Sequence, residues 1–389
     1  MNTTPELAQL IATRIRADVR AMHAYVVQDA EGLIKLDAME NPYPLAPQLQ
    51  AALGQRLAQL AINRYPGAET ETLKQALTVH YQAPAGYEVI LGNGSDELIT
   101  LLALTVLKTA PALLLEQTQE STRHAQPATI LAPQPSFVMY QFTAQLLGLQ
   151  FVGVPLQEHF QLDEAAMLQA IAQHRPELVF LAYPNNPTGT QWNAASMRRI
   201  IAVVAQYGGI AVVDEAYQPF ASATWLDEIK VQPQANAHVV VMRTMSKLGL
   251  AGARLGYLFA QQALAQEIDK VRPPYNVSVL NSACALFALE NASVFAEQAA
   301  TIRAERSRIE ADLQQHPQLQ VYPSQGNMIL VRCLGAPEQA AQAHAGMQAR
   351  GVLVKNVSTM HPMLANCLRL TVGTPQENTA MLAALKESL

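Results

Sequence analysis

Cysteine is scarce in this chain. Only three occur in 389 residues, Cys284, Cys333 and Cys367. They lie too far apart for a paired-cysteine metal site and are too few for a disulfide framework, so a reducing compartment is expected. Charge is also sparse, at 15% of residues with a formal net of -5, which gives no reason to expect nucleic acid or an anionic membrane surface as a partner. No apolar run reaches the length of a membrane span, and the first residues are polar, without a signal-peptide core. A cytoplasmic protein is therefore expected. Internal repeats, low-complexity tracts, a His/Asp/Ser triad and a metal-ligand cluster are all missing from the sequence.

What is present is apolar: half of the residues are hydrophobic. A chain of this length suggests two domains, or one large domain with a subdomain. Pro5 to Met22 places Leu7, Leu10, Ile11 and Ile15 at helical spacing, and is predicted to be one amphipathic helix, an arm that packs on something else such as a partner subunit. Short apolar runs then alternate with helical patterns. Glu88–Leu91, Ala128–Leu131, Phe151–Val154, Leu178–Ala182, Gly209–Val213 and Val239–Met242 read as strands. Pro133 to Leu147 reads as a helix carrying Phe137 and Tyr140. Continuous apolar runs of this kind fit strands buried on both faces of a parallel sheet. The alternation argues an α/β fold with a mostly parallel, doubly wound sheet. Beyond Leu258 the pattern changes to longer helices and short strands, as in a small α+β domain. The expected division is 1–54 as arm and part of the small domain, 55–285 as the large domain, and 286–389 as the rest of the small domain.

Chemistry gathers where the apolar runs stop. Leu178–Ala182 ends in Tyr183-Pro184-Asn185-Asn186-Pro187-Thr188-Gly189, Gly209–Val213 ends in Asp214-Glu215-Ala216-Tyr217, and Val239–Met242 leads to Ser246-Lys247. Ligands of open α/β sheets bind at the carboxyl edge of the strands. Gly92-Asn93-Gly94-Ser95-Asp96-Glu97 lies between a strand and an apolar helix, a natural anion cradle, because free N–H groups and the helix dipole both favour negative charge there. Each feature also has a plain structural explanation. Ser95, Asp96 or Asp214 can cap a helix, and Asn186-Pro187-Thr188-Gly189 can be a simple turn.

Taken together, one lysine, one aspartate and an anion cradle leave the hard step to a cofactor. Pyridoxal phosphate needs an amine for its aldehyde, an acid beside its pyridine nitrogen and a seat for its phosphate. Lys247 would supply the amine and then act as general acid and base. Asp214 would keep the ring nitrogen protonated. Asn186 and Tyr217 would donate to the ring's phenolate oxygen.

The ordered set Asn186-Pro187-Thr188-Gly189, Asp214-Glu215-Ala216-Tyr217 and Ser246-Lys247 with Arg254 resembles the fold-type-I pyridoxal-phosphate-dependent aminotransferases. Glu40-Asn41-Pro42-Tyr43, Arg64-Tyr65-Pro66, Pro273-Pro274-Tyr275-Asn276-Val277 and Arg369-Leu370-Thr371-Val372-Gly373 narrow this to similarity with the histidinol-phosphate aminotransferases. The resemblance implies that Ser95, Asp96, Ser246 and Arg254 bind the cofactor phosphate and that Tyr65 reaches it from the other subunit of a homodimer. It implies that Phe137 stacks on the pyridine ring, where many relatives carry tyrosine. Arg369 would grip in turn the phosphate of histidinol phosphate and the α-carboxylate of glutamate, with Tyr25 and Asn41 enclosing the substrate. Lys355 stands where arginine is common, keeping the charge and losing the fork. The polar stretch Gln117–Pro127 departs from the family pattern. An aromatic aminotransferase, a threonine-phosphate decarboxylase or, more remotely, a catalytically silent cofactor-binding regulator remain open on the same scaffold.

Overall fold

Alternate residues of the buried strands go to opposite faces of one sheet. Val179, Leu181, Ala211, Val213, Val239 and Val241 enter one apolar cluster, while Leu178, Phe180, Val212, Val240 and Met242 enter another. This is the period of two that a strand imposes, and it explains why the runs carry no polar interruption. The computed structural model describes residues 4–22, 24, 28–108 and 127–389. The chain divides into two units, Met1–Gly32 and Leu33–Leu389.

The first unit holds two helices, α1 (Pro5–Arg14) and α2 (Ala17–Ala21), where one continuous helix is predicted. Thr4 caps α1 and Pro5 opens it, but Ile15 and Arg16 leave helical backbone, with ψ of 129° and 138°. Arg16 then pairs with Asp18 across the break.

The second unit opens with β1 (Ile34–Lys35), α3 (Pro47–Ala58) and α4 (Ala68–His80). The large sheet follows, formed by β2 (Tyr87–Gly92), β3 (Thr129–Gln134), β4 (Gln150–Pro155), β5 (Leu178–Ala182), β6 (Ile210–Asp214), β7 (Val239–Thr244) and β8 (Gly256–Gln261). Its spatial order is β2-β8-β7-β6-β5-β3-β4, and β8 alone runs against the rest. The intervening helices are α5 (Ser95–Val106), α6 (Met139–Leu147), α7 (Glu164–His174), α8 (Ala194–Gln206) and α9 (Trp225–Val231).

The sequence pattern places Pro133 in a helix, whereas it lies in β3, and α6 begins only at Met139. β3 pairs with β5 only at Ile130 and Leu131, so Pro133 faces an open stretch there and its missing N–H costs little. The helix α9 has no counterpart in the predicted elements; Thr224 caps it and the Trp225 indole anchors it on Asn236.

After β8 come α10 (Gln262–Asp269), α11 (Val279–Glu290) and α12 (Ala292–Leu313), the last two separated at Asn291. A four-stranded antiparallel sheet follows, in the order β12-β13-β10-β9, from β9 (Leu319–Tyr322), β10 (Met328–Cys333), β12 (Lys355–Asn356) and β13 (Cys367–Thr371). The short β11 (Val352–Leu353) pairs instead with β1. α13 (Gln339–Ala349) and α14 (Pro375–Lys386) complete the fold, and their apolar faces share a third core with α12 and this small sheet. Burying one such leucine or methionine is worth about 1.5–3 kcal/mol.

Candidate active site

Strands β5, β6 and β7 run side by side in the same direction, so their carboxyl ends open at one edge. A single cavity there is lined by Asn186 after β5, Asp214 at the end of β6 with Tyr217 beyond it, and Ser246 and Lys247 after β7. Ser95 and Asp96 at the start of α5, Phe137 before α6, and Arg254 before β8 reach the same cavity. Nine of the residues expected from the sequence therefore meet in one place.

Asp214 is buried, 5% exposed. Its Oδ2 accepts from the Tyr140 hydroxyl at 2.6 Å and its Oδ1 from the Ala216 N–H at 3.0 Å. Burial pushes the carboxyl up to about 6, against the two donors, with the nearby carboxylates of Asp96 and Glu215 adding to the rise. The Lys247 ammonium donates to the Ala38 carbonyl at 2.9 Å and lies 5.9 Å from the centre of the Tyr217 ring. Desolvation, helped by the charge of Arg369, brings it down to about 8. An amine so shifted is a far better nucleophile near neutral pH than an ordinary lysine. Burial drives the Tyr217 phenol upward, and its hydroxyl points at Met39 Sδ at 3.4 Å.

The anion cradle depends on two glycines. Gly94 holds φ at +84° at the entry to α5, and a Cβ there would lie 2.6 Å from Arg254 Nη2. A Cβ on Gly256 would lie 2.6 Å from the backbone carbon of Gly94 and 2.7 Å from the Ser95 nitrogen. Strand β8 can pass this close only without a side chain. Glu97 fixes the loop from behind by accepting from the Asn93 N–H at 2.7 Å and from Asn276 Nδ2 at 2.6 Å. Arg254 approaches Asp96 at 3.5 Å, and both side chains are about half exposed. The start of α5 thus presents unpaired-helix-end N–H groups, a hydroxyl and a guanidinium toward one point.

Arg369, from β13, reaches the cavity through Asn186. Its Nη1 donates to Asn186 Oδ1 at 2.9 Å and its Nη2 to the Asp37 carbonyl at 2.7 Å. With Oδ1 so occupied, Asn186 has its N–H donors left to offer a ligand. Lys355 stands opposite Arg369 in the pairing of β12 with β13.

A model of the family described as aminotransferase class I and II matches residues 31–385. The chain belongs to that family. It is 58% identical over 388 residues, all of both chains, to a protein named histidinol-phosphate aminotransferase from Acidovorax sp. (strain JS42). Among solved structures it resembles the histidinol-phosphate aminotransferase of Clostridium acetobutylicum, at a TM-score of 0.78 and 20% identity over 91% of this chain and 98% of that one. The Sinorhizobium meliloti histidinol-phosphate aminotransferase, solved with pyridoxal 5'-phosphate, gives a TM-score of 0.77 at 24% identity, over 97% of each chain.

Not every expected residue of this aminotransferase lines the cavity. Asn41 donates to the Leu248 carbonyl at 2.8 Å and to Gln298 at 2.9 Å, and lines a neighbouring pocket with Ser246 and Gly249. Tyr65 is 78% exposed and stacks on Tyr275 with ring centres 4.5 Å apart, away from the cavity lining of its own chain. Tyr25 lies outside the described residues, as does the polar stretch expected at 117–127 except for Pro127. Conversely, Met39, Thr244 and Tyr140 line the cavity without having been singled out as site residues. Of these only Tyr140 carries a sequence signal, an aromatic one helical turn beyond Phe137.

Proposed function

We propose that this aminotransferase transfers the amino group between L-histidinol phosphate and 2-oxoglutarate, giving imidazole-acetol phosphate and L-glutamate, a step of histidine biosynthesis. The observation that carries this reading is the 58% identity with a histidinol-phosphate aminotransferase along the whole of both chains. The cofactor is pyridoxal 5'-phosphate. The cavity fits it: the bare backbones of Gly94 and Gly256 let the start of α5 and Arg254 come together, and the helix-end N–H groups, hydroxyl and guanidinium there suit a phosphate, while a buried carboxylate and a lysine line the same space. When bound, this group supplies an aldehyde for amines and a ring that accepts electrons from the reacting carbon.

The residues divide the work. Ser95, Asp96, Ser246 and Arg254 bind the phosphate. Phe137 covers the ring face, a role its side chain fills without the hydroxyl common in relatives. Asp214 would keep the proton on the pyridine nitrogen, and Asn186 and Tyr217 would donate to the ring oxygen. Lys247 would hold the cofactor through its aldehyde and serve as general base and acid, taking the proton from the substrate's Cα and delivering it to the cofactor's aldehyde carbon. Arg369 grips the anionic end of either substrate, with Lys355, Asn41 and Tyr25 completing the enclosure.

The working form in this reading is a homodimer in the cytoplasm, in which Tyr65 reaches the phosphate of the opposite subunit. Its exposure and its place beside Tyr275 leave it accessible for that contact. The division at about residues 54 and 285 into large and small domains is part of the proposal. It is supported by the separate apolar core beneath the small sheet. No single helix among the described residues is long and apolar enough to cross a membrane.

An amino-donor panel tests the substrate. Histidinol phosphate, phenylalanine and threonine phosphate are offered in parallel with 2-oxoglutarate, and the histidinol phosphate rate is expected to exceed the others. Turnover of phenylalanine alone, or carbon dioxide release from threonine phosphate, would replace the substrate named here.

A further inference from the structure

Asp214 is held from behind by a phenol. Tyr140 sits in the first turn of α6 with no exposure to solvent. Its ring stacks on Phe180 of β5, centres 4.4 Å apart and planes 15° from parallel, and meets the edge of Phe137 at 5.7 Å. Those contacts need only a ring, and a phenylalanine would satisfy them. The hydroxyl is a separate matter. It donates to Asp214 Oδ2 at 2.6 Å, the short length of a charge-assisted bond. With the Ala216 N–H on Oδ1, each carboxylate oxygen has one fixed protein donor.

We propose that Tyr140 is a positioning residue for the transamination, holding Asp214 ionised and fixed in orientation so that the proton between Asp214 and the cofactor's pyridine nitrogen stays on nitrogen. The inference rests on the binding of pyridoxal phosphate in this cavity.

The electrostatics make such a donor necessary. Burial opposes the charge on Asp214, and the carboxylates of Asp96 and Glu215 oppose it further. Tyr217, also facing it, is a neutral phenol, and Lys247 and Arg254, which line the same cavity, bond to the Ala38 carbonyl and to Asp96. The Tyr140 phenol itself is driven well above its ordinary value by burial and by Asp214, so it stays a donor throughout the working range. Removing the hydroxyl strips one donor from the carboxylate. The proton then shifts along the existing hydrogen bond, from ring nitrogen to carboxylate oxygen, with no change in total protons or electrons. A neutral ring is a weaker electron acceptor, so proton removal from the substrate slows.

The test uses holoenzyme reconstituted with pyridoxal phosphate labelled with ¹⁵N in the ring. The ring-nitrogen resonance is compared at one pH for the wild type and Tyr140→Phe. The wild-type resonance is expected at the protonated position, and that of Tyr140→Phe is expected to move toward the neutral one. With it, kcat should fall about tenfold while KM for 2-oxoglutarate changes by less than about twofold. If Tyr140→Phe does not fold, 4-aminophenylalanine introduced at position 140 keeps the ring and a weaker donor, and should give an intermediate resonance. Resonances identical to wild type in whichever variants fold would overturn the proposal. A wild-type protein that takes up no cofactor and shows no visible absorption band would instead defeat the functional reading, and this one with it.

Discussion

Glu215 and Arg243 form an ion pair 2.8 Å long across the ends of β6 and β7, with side-chain exposures of 0% and 4%. Glu215 directly follows Asp214, and Arg243 stands four residues before Lys247. The pair therefore ties the strand end that carries the carboxylate to the one that carries the amine. It is fully furnished. Glu215 also accepts from Thr224 and the Trp225 N–H, while Arg243 donates to Thr224 and lies 4.5 Å from the centre of the Tyr81 ring. Burial is the largest influence and works against the charge of Arg243, but Glu215 together with the Tyr257 and Tyr81 phenols holds the guanidinium above its ordinary value.

Breaking a buried pair by removing one charge costs about 3–5 kcal/mol, because the other charge is left uncompensated. Glu215→Gln is the informative change, since it keeps an acceptor for the Trp225 N–H and removes only the charge. The unfolding free energy of apo Glu215→Gln, from denaturant titration, should fall by an amount in that range. A loss below about 1 kcal/mol would mean that the pair is effectively solvated.

Lys247 makes a pH prediction with a definite sign. At about 8 its amine is neutral in about one molecule in ten at pH 7, against about one in 2,500 for an ordinary lysine near 10.4. Capture of pyridoxal phosphate by the apoprotein should rise about tenfold per pH unit below 8 and level off above it, followed by stopped-flow absorbance. A rate still climbing at pH 10 would show a solvated amine. Stability follows the same shift. The folded value is the lower one, so the folded state binds fewer protons between about 8 and 10.4. This group's contribution therefore improves as pH rises through that window and is flat below it.

The glycine pair gives a graded outcome. A side chain at Gly94 would collide with the end of Arg254, which can swing away, although φ of +84° adds backbone strain. At Gly256 it would collide with the backbone of Gly94 and Ser95, which cannot move without dismantling the cradle. Gly94→Ala should raise the cofactor dissociation constant about tenfold and Gly256→Ala about a hundredfold or more, at unchanged far-ultraviolet circular dichroism. Equal, small effects would remove the phosphate from this end of the cavity.

The residues that were legible in the sequence share one property: they sit at the end of an uninterrupted apolar run. Asp214 ends β6, and Asn186 and Lys247 stand shortly beyond β5 and β7, where a strand buried on both faces leaves no doubt where it stops. Gly94 and Ser95 were legible because a glycine turn between strand and helix has few other uses. Tyr140 was legible only as an aromatic close to Phe137; its bond to Asp214 was not, since that partner lies 74 residues away and no local period encodes a pairing across two strands. The same holds for Glu215 with Arg243, whose charges inside apolar surroundings pass for ordinary strand ends. α9 has seven residues, too few for a helical period to stand out. The break at Ile15 escaped because the apolar spacing continues through it into α2, while the backbone does not.

In the proposed reading, Arg369 and Lys355 together decide how one site accepts two anions. Arg369 is already oriented by Asn186 and the Asp37 carbonyl, with its guanidinium bridging β13 to the loop after β5. Lysine in its place would keep the charge and lose both the fork and this bracing. Arg369→Lys should therefore lower kcat/KM about a hundredfold for histidinol phosphate and glutamate alike, about 2.7 kcal/mol of transition-state binding. Lys355 differs. It acts as a point charge, and at a given distance a cation attracts a phosphate dianion about twice as strongly as a carboxylate monoanion. Lys355→Met should raise KM about tenfold for histidinol phosphate and about threefold for glutamate, close to 1.4 and 0.7 kcal/mol. Steady-state kinetics with both donors on both variants reads the difference directly. Equal losses for the two donors in Lys355→Met would mean that position 355 does not face the phosphate, and that Arg369 alone carries the anion.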